Sequence, residues 1–338
     1  MQKTILIVTD NLPDQINGVV TTFKNIEPYA ARDGYRIEYI NPTYFKYIDC
    51  PRYPEVKLSW PWRLGKMIEK INPDHIHIAT EGPNGIAASN YCWRNNLVYN
   101  TSYHTKFPEI LKNNYYIPES LTYAYMRWFH RHSGRVLTTT ESMVQDLTSH
   151  GLRSDIIAWT RGVNRENLKP TVDRLDRCKD SKPVVLYAGR VSHEKNLDVL
   201  CKLHTKYTIK IVGDGPYRTS LEKRYPEVEF LGYKSGNDLA NCYIQADVFA
   251  FPSVADTFGI VIIEAMSTGT PIAAYPVTGP IDIITQNVSG YMDEDLSVAI
   301  DKCLELDRTQ VKQDSEKWTW DNCWRIFRDN LLPISNNK

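Results

Sequence analysis

Residues 250–276 read AFPSVADTFGIVIIEAMSTGTPIAAYP, and the order of signals within them decides the fold. Phe251-Pro252 closes an apolar strand, and Ser253-Val254-Ala255-Asp256-Thr257 is a polar turn. Phe258-Gly259 opens a helix that carries Val261, Ile262 and Ile263 before Glu264. Gly269 stops it, and Pro271 leads into the next apolar strand, Ile272-Ala273-Ala274-Tyr275. Glu264 is the anomaly, because it stands where such a helix has little polar face. A buried carboxylate without a partner is costly, so Glu264 faces either a protein donor or the hydroxyls of a ligand. Asp256 lies at the lip of the helix, where an N-cap is the plain structural role.

The strand–helix alternation extends in both directions. In the first half, strands are expected at 4–9, 36–40, 74–78, 97–102, 135–140 and 155–159. Helices open at 19–23, 85–95, about 118 and 141–150. The aromatic, proline-rich stretch 44–62 reads as an irregular excursion, and 103–132 as a polar-aromatic region with helix only from about Pro118. A charged, aperiodic stretch at 161–181, containing Pro170, is the expected domain boundary. The pattern then restarts with strands at 183–188, 208–212, 227–231, 247–251 and 271–274, and a helix at 196–205. A tryptophan-rich helix follows at 315–332. Two such series predict two doubly wound α/β domains. The expected division is 1–165, 166–315, and a final helix 316–338 crossing back to the first domain. Ligands of such sheets bind beyond the strand C-termini, so a cleft between the domains is the expected site.

Composition narrows the function. The chain has 338 residues, enough for two cores, and its 40 basic and 40 acidic residues cancel. That balance argues against general nucleic-acid binding. Seven cysteines are scattered singly, including Cys178, with no Cys-x-x-Cys pair, which is cytosolic usage without a zinc site or disulfide frame. The apolar run after Lys3 is short and ends at Asp10, so it reads as a strand rather than a signal peptide. No apolar run approaches the ~18 residues of a membrane span.

Candidate chemistry collects at strand ends. Asn17-Gly18-Val19 opens a helix, where glycine lets a phosphate approach backbone amides. Neither domain's first strand is followed by G-x-G-x-x-G, which counts against a nicotinamide or flavin enzyme. Arg190 and Lys195, in the loop after 183–188, suit a diphosphate: one by its planar fork, the other as a point charge. Gly213-Asp214-Gly215-Pro216 is a tight turn. His104 sits among hydroxyl side chains at a first-domain strand end. Asp293-Glu294-Asp295 has a D-x-D pattern but precedes a helix, so a solvated acidic N-terminus is the reading.

These segments together resemble a known family. Ala188-Gly189-Arg190 with Lys195-Asn196, Gly213-Asp214-Gly215-Pro216, Phe230-Leu231-Gly232-Tyr233 and residues 253–271 are similar to the retaining two-domain glycosyltransferases of GT-B type, family four. Asn17-Gly18-Val19, residues 102–108 and Arg127-Trp128-Phe129-His130 resemble its lipid-acceptor branch of mannosyl- and sulfoquinovosyltransferases. Arg161-Gly162-Val163-Asn164 matches the family's interdomain segment, with asparagine where aspartate is usual.

The resemblance implies roles. His104, Arg190, Lys195 and Asp256 are the catalytic candidates: Arg190 and Lys195 on the diphosphate, Asp256 on the sugar, His104 near the reacting carbon. Gly18, Gly213, Tyr233, Thr257, Phe258, Gly259 and Ile260 bind the donor, and Glu264 takes the ribose hydroxyls. Asp256 fills the first place of the family's Glu-x7-Glu pair, one methylene short. The implied reaction moves a hexose, mannose slightly favoured over others, from a GDP- or UDP-linked donor to a lipid or glycan hydroxyl, with no cofactor or essential metal. A glycosidase using Asp256 and Glu264, or a non-catalytic nucleotide-sugar-binding protein, are the alternatives. Residues 102–135 carry five basic against two acidic residues, with Tyr115, Tyr116, Tyr123, Tyr125, Trp128 and Phe129 between them. That mixture suits either a membrane interface or a packed helix with a wet face. With the branch resemblance it sets the expectation of a cytoplasmic protein in peripheral membrane contact.

Overall fold

A computed structural model describes residues 2–15, 17–50, 53–175 and 181–334. Cys178 and the middle of the expected linker, 176–180, lie outside them, as does the Tyr115 side chain. The strands are β1 (Lys3–Val8), β2 (Tyr35–Ile40), β3 (Tyr47–Cys50), β4 (Tyr53–Ser59), β5 (His75–Ile78), β6 (Asn100–Tyr103), β7 (Arg135–Thr138) and β8 (Asp155–Ala158). The series resumes as β9 (Val184–Ala188), β10 (Thr208–Val212), β11 (Glu229–Gly232), β12 (Val248–Phe251), β13 (Ile272–Ala274) and β14 (Gly290–Met292).

The chain divides into two compact units, one running to Arg161 and resuming at Trp320, the other spanning Gly162–Thr319. The first holds a parallel sheet of order β2-β1-β5-β6-β7-β8, so the chain reverses its direction of travel between β1 and β5. The second holds a parallel sheet of order β11-β10-β9-β12-β13-β14, the Rossmann order, reversing between β9 and β12. In the second unit the two-residue period of a strand assigns each side chain to a layer. Val184, Leu186 and Ala188 of β9 enter one apolar cluster, and Val185 and Tyr187 the other. Phe249 and Phe251 of β12 likewise separate from Val248 and Ala250.

In the first unit, the helix Trp320–Asp329 covers one face of the sheet. Phe327 packs on His77 at 4.9 Å, on Trp159 at 4.8 Å and on Phe23 at 5.9 Å, and all four rings are buried. The Trp159 indole donates to the Cys323 carbonyl at 2.9 Å, and the Trp324 indole donates to Asp33 at 2.8 Å. The unit boundaries therefore fall at 161/162 and 319/320, rather than at 165 and 315.

Four local expectations are corrected. The stretch 44–62 contains the antiparallel hairpin β3–β4, with Tyr47 opposite Ser59 and Ile48 opposite Leu58. Residues 103–117 contain the helix Phe107–Tyr115, opened by Phe107-Pro108 as its first turn. The helix expected at 196–205 is a short α-helix, Leu197–Cys201, followed by a 3-10 turn, Lys202–Thr205. The edge strand β14 has no counterpart in the expected elements; at three residues, Gly-Tyr-Met, it carries no periodic signal.

Candidate active site

In the second unit, the loops after β9 and β12 flank the reversal of strand order, where open α/β sheets hold their ligands. Lys195 lies on the first loop and Asp256 on the second, and the Lys195 ammonium donates to Asp256 Oδ1 at 2.6 Å. Both side chains are about one-fifth to one-quarter exposed, at 21% and 24%. Asn196 adds a second tie, its amide donating to the Pro252 carbonyl at 3.3 Å. An ammonium has three donors, so Lys195 keeps hydrogens for a further anion while Asp256 fixes its place. Arg190 is exposed in the same loop; its backbone carbonyl accepts from the buried Tyr187 hydroxyl at 3.0 Å.

Gly213 closes the floor of this region. Its φ is +127°, and a Cβ there would stand 1.9 Å from the Gly189 carbonyl oxygen. Only glycine lets these two strand ends approach so closely. Tyr233 follows the edge strand β11 and is exposed, two strands from β9. Thr257 and Phe258 are buried, and Gly259, at φ +90°, begins the helix Ile260–Ser267 with no side chain capping it. Asp256 is thus not the N-cap; it reaches Lys195 instead.

The helix Ile260–Ser267 packs Ile262, Ile263, Ala265 and Met266 into one core cluster, as a helix apolar on nearly all sides must. Glu264 stands among them and finds a protein donor: the Tyr243 hydroxyl, at 3.0 Å from Oε2. Burial pushes the Glu264 carboxyl above its ordinary pKa, and the Tyr243 bond offsets part of that. Asp256 and Glu264 therefore each accept from a fixed donor. Asp295 caps the helix Leu296–Cys303 by accepting from the Ser297 amide at 2.8 Å, so the D-x-D segment is helix-capping structure.

In the first unit, Asn17 caps the helix Gly18–Arg32, its side chain accepting from the Val20 amide at 2.9 Å. Gly18 is the first residue of that helix. His104 follows β6 and accepts at Nδ1 from the Arg161 guanidinium at 2.9 Å. Burial, then the Arg161 charge, holds its pKa well below the ordinary histidine value. Sequence reasoning missed a polar knot at this unit's own strand reversal. Asp10, after β1, accepts from the Asn84 amide at 2.7 Å and from the Thr80 hydroxyl at 2.7 Å. Asn84 also donates to the Thr9 carbonyl at 2.9 Å and accepts from Ser59 at 2.6 Å. The available signal was the polar residue closing an apolar strand, Asp10 itself.

The basic–aromatic segment 102–135 is split by packing. Tyr123 and Phe129 are core residues, and the Tyr125 hydroxyl is spent on the Glu81 carbonyl. Tyr116, Leu121 and Trp128 are exposed, with the Arg131 guanidinium 5.1 Å above the Trp128 ring. Among the described residues, no helix is long and apolar enough to cross a membrane.

Two Rossmann-like parallel sheets in sequence, the second with a cation held at its strand reversal, define the chain as a GT-B protein. The solved structure of the Anabaena HepE protein in complex with UDP matches with a TM-score of 0.71, at 15% identity, over 97% of this chain and 99% of that one. The family model described as glycosyl transferases group 1 matches residues 174–318, and that of glycosyltransferase family 4 matches 16–167. The chain belongs to the family-4 type of GT-B glycosyltransferases. Among its relatives, a GDP-mannose-dependent alpha-mannosyltransferase of Mycobacterium tuberculosis is 29% identical over 85% of this chain and 83% of its own length. The sulfoquinovosyl transferase of Arabidopsis thaliana is 31% identical over 71% of this chain, and the match spans half of that longer protein.

Proposed function

We propose that the chain transfers a hexose from a nucleoside-diphosphate sugar to a hydroxyl of a lipid or glycan acceptor, with retention at the anomeric carbon. The observation that carries this reading is the Lys195–Asp256 pair, which puts a fixed ammonium and a carboxylate on the two loops flanking the second sheet's reversal. On this reading Lys195 and Arg190 grip the donor diphosphate, and the uncapped amides from Gly259 onward face negative charge. Glu264 receives the ribose hydroxyls. Asp256 accepts from the sugar while restraining Lys195.

The C–O bond to the diphosphate breaks through an oxocarbenium-like state, and its electron pair leaves with the diphosphate. The acceptor oxygen bonds to the same face of the sugar carbon, and its proton passes to a leaving-group oxygen. Fixed cations stabilise the departing charge most where it is largest, in the transition state, so they accelerate the step without a metal. Mannose from GDP-mannose is slightly favoured as the donor, in keeping with the mycobacterial relative. The exposed Tyr116, Leu121 and Trp128, with Arg127 and Arg131 beside them, are the surface through which a membrane-borne acceptor is approached.

A thermal-shift panel of UDP, GDP and their sugars tests donor binding, since a ligand of the folded state raises its melting temperature. Release of free nucleoside diphosphate, measured with and without a chelator, tests turnover and metal independence. Proton NMR of the first-formed product reads its anomeric configuration. Arg190→Ala is expected to lower turnover by on the order of 10²–10³ while leaving the fold intact, as loss of one preorganised charge contact does; wild-type turnover in that variant contradicts the assignment.

A further inference from the structure

Arg161 closes the first unit, two residues after the buried Trp159. Its guanidinium is itself buried, at 3% exposure. One nitrogen donates to the carbonyls of Trp159 at 2.6 Å and Thr160 at 2.9 Å, and the other donates to His104 Nδ1 at 2.9 Å. The guanidinium carbon stands 4.5 Å over the Trp159 ring. That ring is locked by Cys323, Phe23 and Phe327, so the fork has a rigid seat. Among the described residues no carboxylate pairs with Arg161.

Arginine offers only donors. The imidazole nitrogen that faces it must therefore accept, and an imidazole whose Nδ1 accepts carries its single hydrogen on Nε2. Protonating the ring would set an imidazolium against a guanidinium in a buried place. The direction of the His104 pKa, driven down by burial and then by Arg161, agrees. The nearby titratable ring, His77, is fully buried and pushed down to about 3, so it adds no counter-charge.

We propose that Arg161 is a positioning residue that holds the His104 ring with its proton on Nε2, so that His104 meets an oxygen of the transferred sugar as a hydrogen-bond donor and not as a base. The role of the donor rests on reading His104 as the sugar contact; the tautomer does not. Arg161 acts only through His104.

The test uses the full-length protein labelled with nitrogen-15 histidine. Long-range proton–nitrogen spectra distinguish the two neutral tautomers and the cation. His104→Gln assigns the His104 signals among the eight histidines. The wild type is expected to show an Nε2–H ring that stays neutral well below the ordinary histidine pKa. A ring with Nδ1–H, or one protonated near its ordinary pKa of about 6.5, overturns the proposal. Arg161→Met is expected to give mixed tautomers and a titration raised above the wild type's, though still below that ordinary value because the ring remains buried. Arg161→Lys, which still donates, is expected to keep the wild-type pattern in part. An unchanged His104 spectrum in a folded Arg161→Met protein overturns the proposal as well.

With a donor that the wild type turns over, Arg161→Met lowers kcat about 10–100-fold with little change in donor KM, and Arg161→Lys recovers part of it. A loss confined to KM overturns the positioning role. Should the spectra come out as expected while no nucleotide sugar is turned over, the Arg161–His104 device stands and the transferase reading falls.

Discussion

Asp10 sits in a buried corner and, despite its bonds from Asn84 and Thr80, burial raises its pKa from 3.8 to about 6. The folded chain therefore holds a proton on Asp10 between about pH 4 and 6 that the unfolded chain has lost. Stability contributed at this site is full below the unfolded value, declines as pH rises through that window, and stays reduced above it. The gap corresponds to a few kcal/mol, at ~1.4 kcal/mol per pH unit. Asp10→Asn is expected to remove that dependence, so the melting-temperature difference between variant and wild type widens in the variant's favour from pH 4 to 6.5. A constant difference across that range refutes it. Glu264→Gln keeps an oxygen for the Tyr243 hydroxyl but weakens an acceptor for ribose. Its GDP or UDP dissociation constant, measured by calorimetry, is expected to rise about tenfold, the ~1.4 kcal/mol scale of one hydrogen bond to a charged group. Glu264 announced itself in the sequence because a carboxylate broke an apolar helix. Its partner did not, since Tyr243 lies on another helix and only the folded sheet brings the two together. Lys195 and Asp256, 61 residues apart, are the same case: each was legible as a candidate, their pairing was not.

Elements differed in how plainly the sequence announced them. The buried parallel strands were readable because apolar runs of four to six residues ended in glycine, proline or a polar turn. The hairpin β3–β4 was masked by Pro51, Pro54 and the surrounding aromatics, although Glu55-Val56-Lys57-Leu58-Ser59 alternates with the two-residue period of a strand, a signal that was there to be read. The helix Phe107–Tyr115 was hidden by its two asparagines and its closing tyrosine, poor helix formers whose place is set by tertiary packing. The turn after β10 was legible as a turn, but its tolerance was not. Gly213→Ala forces a Cβ against the Gly189 carbonyl and keeps a side chain at φ +127°. It is expected to separate the loops after β9 and β10, lowering stability by about 1–3 kcal/mol and abolishing the nucleotide-induced rise in melting temperature. Urea unfolding and the thermal-shift panel check the two effects separately; a stable variant that binds nucleotide normally contradicts the close approach.

For the molecule as a whole, the period of the pattern was enough to count two sheets, because the strand–helix series stops at a charged linker and restarts after it. Where the last helix belongs was set by packing: Phe327 and Trp324 bury their rings in the first unit. Phe327→Ala is expected to cost about 3–5 kcal/mol in that unit's unfolding transition. Nucleotide affinity, which belongs to the second unit on the proposed reading, is expected to stay within about twofold; joint loss of both refutes that division of labour. The return of residues 320–334 to the first sheet also sets an order in time. A ribosome releases chain at ~5–20 residues per second. The second unit, about 160 residues long, emerges between the first sheet and the helix that covers it. For roughly ten to thirty seconds of synthesis, while the second unit is still being made, Phe23, His77 and Trp159 wait uncovered, a window in which the nascent first unit exposes apolar surface that its own last helix will later bury.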